Sequence, residues 1–272
     1  MQTPRMPTAL TIAGSDSGGG AGIQADLKTF SAFRVFGTSV LTGLTAQNTC
    51  GVQQVELPAI PFIAAQLRAV LDDIQIDAVK TGMLATGDII RTVSDTLKSY
   101  GLRKIVVDPV MIAASGDALM HHEAAPVMRT HLFPLAMVVT PNLDEASFLC
   151  EQKIANLEQM EAAARQIHAM GPEYVLIKGG HLPGQRVIDL LFDGQSFVRR
   201  EADRITGEFH GTGCTLSSAI AAGLARGLDV PSAVATAQAY IGLAIRSAPA
   251  PGRGRRPLNH FPDGFVPPEI RA

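Results

Sequence analysis

Short apolar runs alternate along most of the chain with longer segments whose apolar residues recur at helical spacing. The apolar runs have the length of buried strands, and the periodic segments have the length of helices that cover a sheet. This order predicts a parallel sheet with helices on both faces. The predicted strands are 9–13, 38–46, 52–57, 78–81, 104–108, 137–140 and 174–178, and the predicted helices are 23–33, 61–72, 86–100, 123–133, 157–170, 213–226 and 230–246.

The pattern changes after residue 186. Two β-type runs, 187–192 and 195–198, flank Asp193-Gly194, which favours a two-residue hairpin turn, so we expect the sheet to gain an antiparallel part here. Residues 249–272 are rich in Pro, Gly and Arg and are expected to form a tail on the surface. Because no repeat or linker divides the chain, we expect residues 1–248 to form one domain that carries this tail.

Composition and charge exclude several classes of protein. The chain of 272 residues is 46% hydrophobic and has a net charge of −2, which excludes a disordered chain and any strong attraction of nucleic acid or anionic membranes. The cysteines, Cys50, Cys150 and Cys214, form no C-x-x-C pair, so neither a disulfide framework nor a cysteine-based zinc site is expected. No apolar run approaches the roughly 20 residues of a membrane helix. We therefore expect a soluble cytoplasmic protein with no nucleic-acid or membrane partner.

Polar residues and glycines lie at the carboxyl ends of the predicted strands. In open parallel sheets, ligands bind beyond this edge, so the coincidence predicts a ligand site there. The residues at these ends are Gly14, Ser15, Asp16, Gln47, Asn48, Gly82, Met83, Asp108, Asn142, Lys178, Gly179 and Gly180.

A glycine-rich loop, residues 14–22, joins the first predicted strand to the first predicted helix. Its glycines would let a ligand approach the backbone closely. No lysine follows it as in a P-loop, and no acidic residue ends the next strand as in dinucleotide-binding folds. Two interpretations stay open, a ligand-binding loop or a turn that needs glycines for its backbone alone.

The sequence Gly211-Thr212-Gly213-Cys214 stands at the start of an apolar helix. Free backbone N–H groups and a partial positive charge at a helix N-terminus suit a phosphate or a developing oxyanion. The same field predicts that the pKa of Cys214 lies below the usual value of about 8.5. The alternative is a small, buried and inert cysteine.

Other polar residues could meet a phosphate or a metal ion. Asn142 and Glu145 lie three residues apart at a strand–helix junction, where their oxygens would suit Mg²⁺, but the same spacing is that of a helix capping box. Lys178 ends a strand beside two glycines, where its ammonium could neutralise a polyphosphate or extend into solvent. Asp108 ends another strand and is a second candidate ligand of Mg²⁺.

Seven motifs follow one another in the order GSDSGGGAGIQADLKTF, LTAQNTCGVQ, KTGML, DPVM, TPNLDEA, KGGH and HGTGCTLSSAIAAGLARG. On these motifs, residues 8–262 resemble the hydroxymethylpyrimidine/phosphomethylpyrimidine kinases of thiamine biosynthesis, in the ribokinase-like superfamily. The resemblance implies a three-layer α/β fold with a mostly parallel central sheet and a small antiparallel extension. It implies a kinase, commonly a homodimer, that uses ATP and Mg²⁺. Its substrates would be 4-amino-5-hydroxymethyl-2-methylpyrimidine and then the resulting monophosphate.

The resemblance also implies which residues would contact the acceptor. Gln47 is chemically suited to this, because its amide can both donate to and accept from the edge of an aminopyrimidine. Cys214 occupies the place of a catalytic base, where it would accept the alcohol proton or only orient the hydroxyl. The residues implied at the pyrimidine are Gly14, Asp26, Gln47, Met83 and Val110.

A second group is implied at the phosphates and the metal. Gly211 and Gly213 would form an anion hole, Lys178 would lie beside the transferred phosphate, and Glu145 would face Mg²⁺, directly or through water. The nucleotide-binding and metal-binding residues implied are Asn142, Lys178, Thr212, Glu145 and Asp108.

Three alternative functions remain from the sequence. A pyridoxal kinase would use the same scaffold, although Gln47 favours the pyrimidine. A nucleotide-binding oxidoreductase is opposed by the missing acidic residue at the second strand end. A non-catalytic pyrimidine sensor is opposed by the intact set of Lys178, Asn142 and Glu145.

Overall fold

A nine-stranded sheet lies at the centre of the part of the chain that the computed structural model describes, residues 5–111, 119–121, 123–180, 182 and 184–270. Its strands are β1 (Thr8–Asp16), β2 (Phe36–Asn48), β3 (Gly51–Glu56), β4 (Ala78–Thr81), β5 (Ile105–Val107), β6 (Val138–Val139), β7 (Tyr174–Ile177), β8 (Arg186–Phe192) and β9 (Phe197–Asp203). Their order is β3-β2-β1-β4-β5-β6-β7-β8-β9. The parallel pairs are β2–β1, β1–β4, β4–β5, β5–β6 and β6–β7. The pairs β2–β3, β7–β8 and β8–β9 are antiparallel.

Helices cover both faces of this sheet. They are α1 (Gly22–Ala32), α2 (Ile60–Leu71), α3 (Gly87–Ser99), α4 (Ala124–Val127), α5 (Leu143–Cys150), α6 (Leu157–His168), α7 (Thr212–Ala225) and α8 (Val230–Arg246). One core cluster joins α1, α7 and α8 to the sheet through side chains such as Phe30, Val106 and Tyr240. The other cluster packs the helices α2, α3, α4, α5 and α6 against the opposite face of the sheet, where Val107 of β5 is buried. The predicted three-layer α/β fold is confirmed.

We also tested the described helices for the length and hydropathy of a membrane span. None of them combines the length and the apolar character that a membrane span requires.

The hairpin of β8 and β9 forms, but its predicted two-residue turn is wrong. Phe192 pairs with Phe197, so the connection has four residues between them. The carboxylate of Asp193 accepts hydrogen bonds from the backbone N–H groups of Gln195 at 2.8 Å and Ser196 at 2.6 Å. These bonds lower the pKa of Asp193 to about 2. The turn is therefore organised by the aspartate side chain as well as by the glycine beside it.

The helix predicted over residues 123–133 is broken into three pieces. A π turn over Met128–Leu132 and a 3₁₀ turn over Phe133–Leu135 follow α4. Pro126 and Pro134 lie in this segment. Pro126 lies in the first turn of α4, where proline is tolerated, whereas Pro134 lacks the N–H that a continuing α-helix needs and its ring crowds the preceding turn.

The C-terminal tail is only partly a surface segment. A short strand, β11 (Arg256–Pro257), pairs in parallel with β10 (Phe209–His210), directly before α7. His260 is buried, and its Nε2 lies 3.1 Å from the Oγ1 of Thr215 on α7. The hydroxyl of Tyr240 on α8 donates to the carbonyl of His260 at 2.8 Å. The expectation of a tail on the surface is therefore wrong for Leu258 and His260, which are buried where this segment closes over α7 and α8.

Burial lowers the pKa of His260 to about 4, against about 6.5 for an unfolded histidine. Between these two values the unfolded chain binds a proton that the folded protein does not, so the folded protein loses stability as the pH falls from about 6.5 towards 4. We predict that His260→Gln, which can keep the contact with Thr215, reduces this loss. Melting temperatures at pH 7, 5.5 and 4.5 would measure it.

The matched control is His131→Gln, because His131 is exposed. It should leave the acid dependence of the melting temperature unchanged. An acid dependence that is the same in His260→Gln and in the wild type would contradict the assignment.

Candidate active site

A cavity of about 810 Å³ opens at the carboxyl-terminal edge of the parallel strands. The first turn of α7 and the segment that leads into it, residues 209–214, form one wall. All of the site residues that the family resemblance implies, except Asp26, line this cavity, so the fold brings together residues that lie up to 200 positions apart in sequence. Those at the cavity are Gly14, Gln47, Met83, Asp108, Val110, Asn142, Glu145, Lys178, Gly211, Thr212, Gly213 and Cys214.

The glycine-rich loop after β1 lies directly against the start of α7. Gly211 has a φ of +81°, and a Cβ on it would lie 1.8 Å from the carbonyl oxygen of Gly20. No side chain fits at this position, so a glycine is required for the two segments to meet. A Cβ on Gly213 would lie 3.1 Å from the Nζ of Lys178. The ammonium of Lys178 therefore lies over the N-terminus of α7, where an anion would be attracted from both sides.

Lys178 belongs to a cluster of opposite charges. Its Nζ donates to the Oδ1 of Asp108 at 3.1 Å and lies 4.0 Å from the Oε2 of Glu145. Burial alone would lower the pKa of Lys178, but the two carboxylates outweigh it and raise the pKa above its ordinary value. Burial raises the pKa of Glu145 to about 7. The Oδ2 of Asp108 is buried without a hydrogen-bond partner among the described residues.

The loop that follows Lys178 is held by the antiparallel part of the sheet. The N–H of Gly179 donates to Asp189 on β8 at 2.9 Å, and a Cβ on Gly179 would lie 1.9 Å from the carbonyl oxygen of Ile188. The guanidinium of Arg204 donates to the carbonyl of Gly180 at 2.6 Å and also to those of residues 182 and 184. Sequence reasoning missed Asp189 and Arg204. The histidine of the KGGH motif, residue 181, lies outside the described residues.

Asn142 and Glu145 form the capping box of α5. The Oδ1 of Asn142 accepts from the N–H of Glu145 at 2.8 Å, and the Oε2 of Glu145 accepts from the N–H of Asn142 at 2.7 Å. The cap interpretation is confirmed. It does not exclude a metal-binding role, because both side chains also line the cavity, and that role stays a prediction.

Asp26 lies beneath the cavity and does not line it. It is fully buried, and its carboxylate accepts from the Nζ of Lys80 at 3.0 Å to each oxygen. The hydroxyls of Thr11 and Ser218 donate to the same carboxylate at 2.6 Å. The carboxylate is thus held by three side chains outside the lining of the cavity, and the pyrimidine contact predicted for Asp26 stays a prediction.

Lys80, the partner of Asp26, does line the cavity. Sequence reasoning missed this lysine. The signal was a lysine inside a four-residue strand with an otherwise buried pattern, since a fully buried lysine requires an opposite charge. Burial alone would lower the pKa of Lys80, but Asp26 above all keeps it well above its ordinary value.

The predicted fall in the pKa of Cys214 is also wrong. Removal from water raises the pKa of its thiol to about 12. Lys80 favours the thiolate, whereas Asp108 and Asp26 disfavour it. The partial charge of a helix terminus, about half an elementary charge, is too small to overcome burial and two nearby carboxylates. A thiol with this pKa is protonated at neutral pH.

A second polar network, Asp16, His210 and Gln47, was not predicted as a unit. The Nε2 of His210 lies 2.9 Å from the Oδ2 of Asp16 and 3.1 Å from the Nε2 of Gln47. Burial alone would raise the pKa of Asp16, but the hydrogen bonds from His210 and from the loop amides hold it below its ordinary value. Both Asp16 and His210 occur in the quoted motifs, but nothing in the sequence pairs them.

Comparison with known proteins agrees with this geometry. A family model described as phosphomethylpyrimidine kinase matches residues 16–259. The hydroxymethylpyrimidine/phosphomethylpyrimidine kinase of Rhizobium meliloti (strain 1021) is 52% identical over 257 residues, which cover 93% of this chain and 96% of that protein.

Solved structures of related kinases share the fold. The ADP complex of Bacillus subtilis pyridoxal kinase aligns with a TM-score of 0.87 at 42% identity, over 94% of this chain and 98% of that one. The phosphomethylpyrimidine kinase of Clostridium difficile 630 aligns with a TM-score of 0.79 at 44% identity, over 89% of this chain and 100% of that one. With a matching family model over most of its length and relatives this similar, the chain belongs to the phosphomethylpyrimidine kinase family.

Proposed function

We propose that this protein transfers the γ-phosphoryl group of ATP first to 4-amino-5-hydroxymethyl-2-methylpyrimidine and then to the resulting monophosphate. The observation that carries the proposal is that one cavity joins an amide suited to an aminopyrimidine edge, Gln47, to a phosphate-binding helix start, Gly211–Cys214. His210 contacts Gln47 and directly precedes Gly211, so the acceptor end and the phosphate end are continuous. A relative with the same name as the proposed activity supports the choice of substrate.

The phosphate end is built to stabilise negative charge. Phosphoryl transfer has a loose transition state, so catalysis depends mainly on positioning and on charge stabilisation. Lys178 and the N-terminus of α7 face the same space and would hold the transferred group between them. Asp108 positions the ammonium of Lys178 by a direct hydrogen bond. The nucleotide would lie beyond it, along Asn142 and Thr212.

The residues at this end also fit Mg²⁺. The unpartnered Oδ2 of Asp108 is a buried oxygen ligand, and Glu145 offers a second carboxylate. Among the described residues, no group of three or more acidic, histidine or cysteine side chains could form a complete metal site. A site with two protein carboxylates suits Mg²⁺, because this ion keeps waters and phosphate oxygens as most of its ligands. When bound, the ion would neutralise charge on the phosphate oxygens.

Cys214 would orient the acceptor hydroxyl. A thiol with a pKa of about 12 has almost no thiolate to serve as a base at pH 7. Its Sγ can still hydrogen-bond the hydroxyl at the start of α7. The second phosphorylation attacks through a phosphate oxygen that is already ionised, so it needs no base.

Pyridoxal phosphorylation is the second candidate, because a pyridoxal kinase shares this fold closely. A homodimer and a cytoplasmic location stay predictions.

The direct test is release of ADP from the purified protein with ATP and Mg²⁺. We expect turnover with the aminopyrimidine alcohol and with its monophosphate, and a lower kcat/KM with pyridoxal. A sample without acceptor gives the background hydrolysis. A higher kcat/KM for pyridoxal would replace the proposal with the second candidate, and no turnover above background on any acceptor would refute both.

Substitution of Cys214 separates an orienting role from a base. If Cys214 only orients the hydroxyl, Cys214→Ala should cost about 10-fold on the alcohol, the size of one hydrogen bond, and Cys214→Ser should recover most of it. Loss of a general base would cost about 10²–10⁴-fold in both variants. The measurement is kcat/KM on the alcohol, with the monophosphate as the internal control. Equally inactive Ser and Ala variants would contradict the orienting role.

Glu145→Gln separates the metal role from the cap. The carbonyl of Gln can still accept from the N–H of Asn142, so the melting temperature should hold. Activity should fall by about 10- to 100-fold and recover partly at high Mg²⁺, if the carboxylate helps to hold the ion. Titration of activity with Mg²⁺ measures this.

Glu158→Gln is the control, since Glu158 lies exposed in the first turn of α6. It should leave both activity and metal dependence unchanged. An unchanged metal dependence in Glu145→Gln would show that Glu145 serves the cap alone.

A further inference from the structure

The side-chain amide of Gln47 has fixed neighbours on both sides. Its Oε1 lies 3.0 Å from the Oγ1 of Thr45, and its Nε2 lies 3.1 Å from the Nε2 of His210. An amide turned by 180° about its last bond has the same shape, so the hydrogen-bonding partners decide which atom belongs on which side. Both neighbours here favour the turned arrangement.

The His210 side favours an oxygen. The carboxylate of Asp16 can only accept, and it lies 2.9 Å from the Nε2 of His210, so this nitrogen must carry a hydrogen. The same carboxylate is fixed by the N–H groups of Gly20 at 3.0 Å and Ala21 at 2.9 Å. A protonated Nε2 cannot accept from an N–H of Gln47. An amide nitrogen here would face that hydrogen, whereas the amide oxygen can share it with Asp16, so the oxygen is the atom of Gln47 that faces His210.

The Thr45 side favours a nitrogen. The single hydrogen of the Thr45 hydroxyl can go to the carbonyl oxygen of Ser15 at 3.0 Å, which can only accept. The Oγ1 then offers a lone pair to Gln47, which an amide N–H satisfies. Two contacts on opposite sides of the amide thus require the same orientation.

We propose that Asp16 and His210 lock the amide of Gln47 with its oxygen towards His210, and that this orientation selects the 4-aminopyrimidine and points its hydroxymethyl group towards α7. The inference rests on the proposed function. The locked amide presents to the cavity an acceptor on the His210 side and a donor on the Thr45 side. A 4-aminopyrimidine offers the complementary pair, an amino donor beside a ring-nitrogen acceptor.

The order of donor and acceptor also sets the direction of the ring. The hydroxymethyl group stands next to the amino group on the pyrimidine, and the amino group pairs with the oxygen on the His210 side. His210 directly precedes Gly211 and the first turn of α7. The reacting hydroxyl therefore points towards Cys214, whereas the opposite amide orientation would point it away. His210 is thus a positioning residue that acts through Gln47.

The 4-oxo analogue of the pyrimidine is a sharp probe, because it presents the reversed pair, a carbonyl acceptor beside a ring N–H donor. The wild type should discriminate strongly against it. His210→Met removes the donor and frees the amide to turn, so the ratio of kcat/KM for the amino compound over the 4-oxo compound should fall by about 10- to 100-fold. His210→Gln retains an N–H donor near the position of Nε2 and should restore most of the ratio.

Two further measurements keep the inference testable if His210→Met fails to fold. Thr45→Val removes the acceptor on the other side and should also lower the ratio, with the KM for ATP unchanged. The ring tautomer of His210, measured by ¹⁵N NMR on the wild type, should carry its hydrogen on Nε2.

A hydrogen on Nδ1 alone would overturn the inference. An unchanged amino-to-oxo ratio in His210→Met would do the same, even if total activity fell, because a merely structural histidine would lower both substrates together. A His210→Gln variant no better than His210→Met would exclude the hydrogen bond as the cause. A wild type that fails on the aminopyrimidine but accepts pyridoxal would instead refute the proposed function itself, whatever the tautomer.

Discussion

The close approach of Gly211 to Gly20 sets the geometry of the whole site. The loop after β1 and the start of α7 meet so closely that a single methyl group would lie 1.8 Å from a carbonyl oxygen. This contact brings two segments nearly 200 residues apart into one wall of the cavity. It places His210 against Asp16 and puts Cys214 at the edge of the same loop. The proposed placement of the pyrimidine hydroxyl beside the transferred phosphate depends on this junction.

Around the junction, buried charges are matched in pairs. Lys80 is neutralised by Asp26 beneath the cavity, and Lys178 by Asp108 within it. Burial of an unpaired charge would cost several kcal/mol, so each lysine requires its carboxylate. The pairs also fix where the ammonium groups lie before any ligand arrives, and preorganised charges of this kind stabilise a transition state without reorganisation. The charge of Lys80, which already pairs with Asp26, does not offset burial at the Cys214 thiol, so this thiol stays protonated.

The strands and helices could largely be predicted because their signals are local. Buried strands such as β4 and β7 and the capping box of α5 follow from residues a few positions apart. Failures occurred where a single side chain redirected the backbone. Asp193 widened a turn that its Asp-Gly dipeptide predicted to be tight, and Pro134 ended a helical pattern that closes in a 3₁₀ turn. The tail was misjudged because its composition suits solvent, whereas His260 docks onto α7.

The sequence by itself determined the class of fold, the edge of the sheet that carries the site and the family to which the chain belongs. These depend on periodicity and on motifs that are contiguous in the chain. The partners of the side chains were decided only by the tertiary structure. Asp26 meets Lys80 rather than the cavity, His210 meets Gln47, and the thiol of Cys214 is protonated. The reason is physical: a pKa or a hydrogen bond depends on burial and on groups from distant segments, and only folding brings these together.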